Sequence, residues 1–283
     1  MTDRSGRFPW KFVLLGFSLS WAVWIPVAVT GRDYQSSVIL LMGVLVGAFG
    51  PGLGAILLTY LNRDQDDFQE FRNRIYELRR IRPSWILIIL GLWPFLHATA
   101  IGITYLLGNS IPDSPFLREL QARPNTIPLI VFLYFLQSGL EEIGWRGYLQ
   151  EKLGNLYSIP ISVLITGAIH AVWHLPLFWI VGTNQIKMGF GNEFLIFIGF
   201  VISSAVYSAW CYYGNKHSVM AVALFHTTAN LSFDIFAYAP GTLKHMIFVL
   251  LMIAGAIPLL WYLRRTPSEK ILLSGDPSLQ SWK

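Results

Sequence analysis

The sequence predicts an all-α, polytopic integral membrane protein of about eight transmembrane helices with both termini cytoplasmic, and three observations carry that prediction. Hydrophobic residues make up 54% of the 283, charged residues only 13%, and the mean hydropathy is +0.49. Soluble domains usually hold about 25% charged residues. Long runs lack Asp, Glu, Lys and Arg altogether: Phe12–Gly31, Tyr34–Asn62, Pro83–Pro112, Leu153–Ile186, Phe194–Asn215 and His245–Leu263. A helix needs roughly 20 mostly apolar residues to cross a ~30 Å hydrocarbon core, whereas a membrane barrel would show ~10-residue alternating segments. With the N-terminus taken as cytoplasmic, sixteen of the 21 Lys and Arg fall on inside segments and five (Arg32, Arg118, Arg123, Lys187, Lys244) on outside loops. That asymmetry is the positive-inside bias, and an even number of crossings returns the C-terminus to the same side.

The eight spans are expected at about 11–31, 37–61, 84–107, 125–146, 159–181, 194–214, 217–239 and 244–263. The first is too long for a removed signal peptide and lacks a small-residue cleavage site. The second carries Gly43-x-x-x-Gly47 and Gly50-x-x-x-Gly54 around Pro51, a pattern that lets helices approach closely and should kink the span. Between the second and third spans, residues 62–84 form the longest polar connection. Phe68, Phe71, Ile75 and Leu78 recur in it at helical spacing, which predicts an amphipathic helix on the cytoplasmic surface. The loop Gly108–Asn125, with Pro112, Pro115 and Pro124, could partly cover the outer face. The seventh span is interrupted by Asp234, which reads as a solvated acid near the outer interface. The tail at 266–283 is polar and expected to be loose.

The whole chain, 1–283, reads as one integral domain without internal repeats. Its net charge of +5 matches topology and anionic headgroups, not nucleic-acid binding. The single cysteine, Cys211, excludes an intrachain disulfide and reads as a small buried residue.

Within so apolar a chain, ionisable residues in a span are functional candidates. Glu141 and Glu142 close a 17-residue charge-free stretch from Pro124 to Leu140, and Arg146 follows. Successive helical residues lie about 100° apart, so the two carboxylates face different ways. Glu142 and Arg146 are i, i+4 neighbours and can pair, leaving Glu141 to point elsewhere; alternatively these charges merely mark the cytoplasmic end of the span. His170 and His174 share a face of the fifth span, at the spacing of a zinc-protease His-Glu-x-x-His pair, but Ala171 stands where the glutamate would be. His226 and Asn230 share a face of the seventh span and could polarise a carbonyl, hold a water or simply join helices by hydrogen bonds. His97, His217 and His245 lack polar partners at helical spacing.

Taken together, Glu141-Glu142-Ile-Gly-Trp-Arg146-Gly-Tyr-Leu, His174-Leu-Pro and His226-x-x-x-Asn230 resemble the CPBP family of intramembrane proteases, which takes in the eukaryotic Ras-converting CAAX endopeptidase and bacterial abortive-infection proteins. The likeness runs from about Ser138 to Asn230, within a protease-like core at about 125–240. It departs at one point: the aromatic expected four residues before the second-motif histidine is His170. Taking His170 as that histidine would put Thr166 in the aromatic's place, which fits worse, so His174 is the carried-over residue and His170 a supporting one.

The resemblance implies hydrolysis of a peptide bond in a membrane-associated or lipid-modified substrate. Glu141 is then the general base, His174 helps place the water, and His226 and Asn230 stabilise the oxyanion. Glu142 and Arg146 brace the helix. A divalent ion such as zinc stays open as a cofactor, with Glu141, His174 and His226 as its ligand set. Membrane lipids and an unidentified membrane protein are the other partners implied, and a bacterial cell membrane the expected location. Two non-enzymatic readings use the same residues: a scaffold or immunity protein, and a transporter with a proton relay. The absence of paired broken helices in repeated halves counts against the transporter.

Overall fold

Apolar runs of this length satisfy their backbone polar groups inside a bilayer by coiling into helices. The computed structural model describes residues 7–62, 65–111, 113–237 and 240–266. Among them the regular elements are helical and there is no strand. In order they are α1 (Trp10–Val29), α2 (Val38–Gly47), α3 (Gly50–Asn62), α4 (Gln65–Tyr76), α5 (Ile86–Leu106), α6 (Pro115–Ala122) and α7 (Ile127–Gly144). A π-helical segment, Trp145–Gln150, joins α7 to α8 (Glu151–Gly154). Then come α9 (Ile159–Trp173), α10 (Asn184–Met188), α11 (Asn192–Gly214), α12 (Val219–Ile235) and α13 (Leu243–Arg265).

Among the described residues six helical stretches are long and apolar enough to cross a membrane: Trp10–Val29, Pro83–Leu106, Pro124–Gly154, Ile159–Trp179, Asn192–Gly214 and Leu243–Arg265. The protein is thus a multi-pass membrane protein. The expected count of eight is reached only by adding two further elements. One is the pair α2 and α3, which is broken by a 48° bend and makes a seventh span if counted as one. The other is α12, whose 17 residues fall short of the others. The break comes at Ala48 and Phe49, just before the Gly-Pro pair where a kink was expected.

Outward-facing Leu14, Leu87, Leu106 and Leu250 are exposed, as a lipid-facing surface requires, while Trp24, Trp93, Trp145, Trp173 and Phe225 fill the interior. The helix between residues 62 and 84 exists as α4, but its apolar face does not look outward. Phe71 and Ile75 are buried, and α4 packs on the π segment and α12. Phe68 stays exposed and Leu78 lies past the helix end. The expected loose tail lies outside the described residues from 267 onward.

α7 packs between α3 and α12. The α3–α7 approach is backbone to backbone. A Cβ on Gly52 would lie 2.3 Å from the carbonyl oxygen of Leu140, and one on Gly144 would lie 2.6 Å from the carbonyl carbon of Pro51. These glycines hold α7 at the depth that sets Glu141 and Glu142. Gly52→Ala is therefore expected to destabilise the protein by at least the 1–3 kcal/mol or so typical of overpacking. Gly91→Ala, in α5 with nothing within 4 Å of the added carbon, should not. Thermal unfolding of the two variants in detergent checks this; equal midpoints would refute the role given to the contact.

Candidate active site

Glu141 and Glu142 are both buried, and the 100° between them sends them to different neighbours. Glu142 Oε1 accepts from Arg146 Nη1 at 2.9 Å, one turn on, and meets His226 Nδ1 of α12 at 2.8 Å. An ionised carboxylate can only accept, so in that contact the ring proton sits on Nδ1 and Nε2 is left over. Glu141 turns toward α9. Its Oε1 accepts from Gln137 Nε2 at 3.3 Å and its Oε2 lies 3.4 Å from His170 Nε2. One carboxylate thus carries a guanidinium and an imidazole, while the other has a carboxamide and a loose imidazole contact.

Aromatic packing places the α9 histidines. Trp173 Nε1 donates to Ser20 Oγ at 2.7 Å, Trp21 Nε1 donates to the Trp173 carbonyl at 3.0 Å, and the Trp24 and Trp173 rings lie 4.6 Å apart. The His170 ring sits 4.7 Å from that of Trp145 and 4.8 Å from that of His174. His174 follows the last residue of α9, and its Nδ1 donates to the His170 carbonyl at 2.8 Å, again leaving Nε2 over. On α12, Asn230 Nδ2 donates to Ser138 Oγ of α7 at 3.2 Å.

Glu141, Glu142, Arg146, His170, His174, His226 and Asn230 all line one cavity of about 540 Å³, within the usual range of ligand sites. Their direct contacts differ from the set drawn from sequence. The imidazole against Glu141 is His170, not His174, and His226 touches Glu142. Both His174 and His226 present the Nδ1-committed form usual for metal-bound histidines. Yet among the described residues no three His, Cys, Asp or Glu side chains come together to hold an ion. The set Glu141, His174 and His226 does not fit a zinc centre in this arrangement.

The sequence reading omits Gln137, Ser138 and Tyr134 and takes Asp234 for a solvated acid. Asp234 is not a free interfacial acid: the Tyr134 hydroxyl donates to its Oδ2, and both residues line the same cavity. Tyr134, Ser138 and Glu142 recur every fourth residue, a signal available in the sequence. His217 and His245 also have partners far away in sequence, Glu151 at 2.8 Å and Glu193 at 3.3 Å. His97 is buried among Phe233, Phe236 and Phe248.

Comparison with known proteins adds the family. Residues 123–232, which hold this whole motif set, match the family described as type II CAAX prenyl endopeptidase Rce1-like. The chain is also 24% identical over 252 residues to CAAX prenyl protease 2 of Methanococcus maripaludis, covering 88% of this chain and 92% of that protein. Both matches support the CPBP family. A second relative, lysostaphin resistance protein A of Staphylococcus haemolyticus, is 24% identical over 173 residues, 61% of this chain and 45% of that protein. This likeness to CAAX prenyl proteases supports an intramembrane endopeptidase. The CPBP match ends two residues before Asp234.

Proposed function

We propose that this protein hydrolyses a peptide bond of a membrane-associated or lipid-modified substrate, with Glu141 as the base that activates water. The observation that carries this reading is the unequal treatment of two adjacent carboxylates. Adjacent carboxylates with different partners can serve different tasks, one structural and one free to act on a bound molecule. Glu142, held by Arg146 and His226, is committed to structure. Glu141 lines the cavity and, among the described residues, forms no ion pair with an Arg or Lys.

In this reading Glu141 takes a proton from water as the water oxygen adds to the scissile carbonyl carbon. His174 Nε2 accepts the water's second hydrogen bond and fixes its direction. Negative charge gathers on the former carbonyl oxygen, where His226, doubly protonated against Glu142 and so donating from Nε2, and the second N–H of the Asn230 carboxamide stabilise it; donors in a water-poor cavity act more strongly than in solution. Glu141 then returns its proton to the departing amine as the C–N bond breaks. The charge asymmetry of the sequence sets the Glu141 end of the cavity toward the cytoplasm. The relative's name, CAAX prenyl protease 2, makes a prenylated C-terminal peptide the first substrate to try.

The test is reconstitution in nanodiscs with labelled peptides, with and without a prenyl group, and mass analysis of the products. Peptide fragments released by the wild-type protein and absent with Glu141→Gln support the reading. Intact peptides throughout would leave the scaffold reading in its place.

A further inference from the structure

α7 and α12 are joined by three polar rungs. Glu142 meets His226, Ser138 meets Asn230, and Tyr134 meets Asp234. The residues step by four in opposite directions along two antiparallel helices, so each set stays on one face. The first two rungs belong to the hydrolytic site proposed above. In the third, Asp234 lies two residues beyond the family-matched segment, and neither side chain has a part in that chemistry.

Its electrostatics are unusual for this protein. Glu142 has Arg146 and His226, Glu151 has Arg74 and His217, Glu193 has His245, and Glu141 has His170. Among the described residues Asp234 is the one acid not fully exposed that has no basic partner. Tyr134 occupies Oδ2, Oδ1 receives no hydrogen bond from the described residues, and both residues line the cavity. Ser114 Oγ donates to the Asp234 carbonyl at 3.1 Å, which seats α6 over this end, with Phe116 also on the cavity wall. An acid in an apolar span without a counter-charge is costly, and a ligand that brings the charge removes the cost.

We propose that Tyr134 and Asp234 form a second substrate subsite that takes a cationic group, a Lys or Arg side chain or an amine. Tyr134 stands seven residues before Glu141, about 10 Å along the helix. An extended peptide covers that in about three residues. The cation therefore lies about three residues from the cut bond. That spacing rests on the hydrolase reading; recognition of the cation does not.

The experiment separates the two. Fluorescent apolar heptapeptides carrying Lys or norleucine at each position in turn are titrated onto Glu141→Gln protein in nanodiscs and, separately, offered to the wild-type enzyme. The Lys peptide is expected to bind Glu141→Gln about tenfold or more tightly than its norleucine twin, the scale of one charge-assisted hydrogen bond. Adding Asp234→Asn should bring the ratio toward one, and Asp234→Glu should restore a preference. If Asp234→Asn fails to fold, Tyr134→Phe serves instead and is expected to reduce the ratio. Equal binding of the twins to Glu141→Gln, or a ratio that survives loss of the acid, overturns the subsite. Cleavage without charge preference sinks the subsite and leaves the hydrolase; Lys-dependent binding without cleavage does the reverse.

Discussion

Glu141→Gln is expected to lower peptide hydrolysis per folded molecule by about 10²-fold or more, the usual contribution of a positioned general base. The amide keeps the shape of the side chain and can still meet Gln137 and His170 at the contacts seen here, 3.3 and 3.4 Å. What it loses is the capacity to take a proton from water. A neutral amide also costs less in an apolar interior than a carboxylate, so the amount and thermal stability of the protein should hold. The measurement is initial rate divided by folded protein, with folding read by size-exclusion profile and unfolding midpoint. Undiminished cleavage by this variant would remove Glu141 from the chemistry and with it the base assignment.

Arg146→Ala should fail in the opposite way, in stability first. Arg146 and Glu142 are both buried, their contact is 2.9 Å, and the guanidinium lies inside the bundle. Removing one partner of a buried pair typically costs about 3–5 kcal/mol because the other charge is left uncompensated. His226 remains within 2.8 Å of the same Glu142 oxygen and should offset part of that loss. It would then be drawn into holding Glu142 and away from any substrate. The expected result is a sharp fall in folded protein, with the surviving fraction also impaired. Recovery by Glu142→Gln in the same chain would identify the stranded carboxylate as the cause. An Arg146→Ala protein as stable as wild type would show that the pair is not what steadies α7.

Much of this was legible in the sequence, and the rest was illegible for identifiable reasons. Charge-free runs marked the spans because lipid tolerates little else. The Glu142–Arg146 pair followed from four-residue spacing on one helix. Local spacing says nothing, however, about how two helices are rotated and slid against each other. Whether His170 or His174 meets Glu141 depends on the docking of α9, fixed by Trp173 on Ser20 and by Gly167 against Ile202 and Ala205. Asp234 looked like an interfacial acid because its partner, Tyr134, stands 100 residues earlier. α4 looked like a lipid-surface helix because its apolar face was visible in the sequence and its cover, around Gly147, was not.

The π-helical turn after Glu142 has a consequence for how this region can vary. The Trp145 amide faces the carbonyls of both Glu141 and Glu142, and the wider winding runs on to Gln150. A π turn takes up one extra residue relative to an α-helix, so everything after it is turned by about 100°. Upstream of it, side chains address the cavity. Downstream, Glu151 is aimed at Arg74 of α4 and at His217 between α11 and α12. The turn acts as a phase adaptor between two partners that a uniform helix would not serve together. Adding or removing one residue between 145 and 150 would therefore re-aim everything downstream, because the count itself sets the bearing of all that follows.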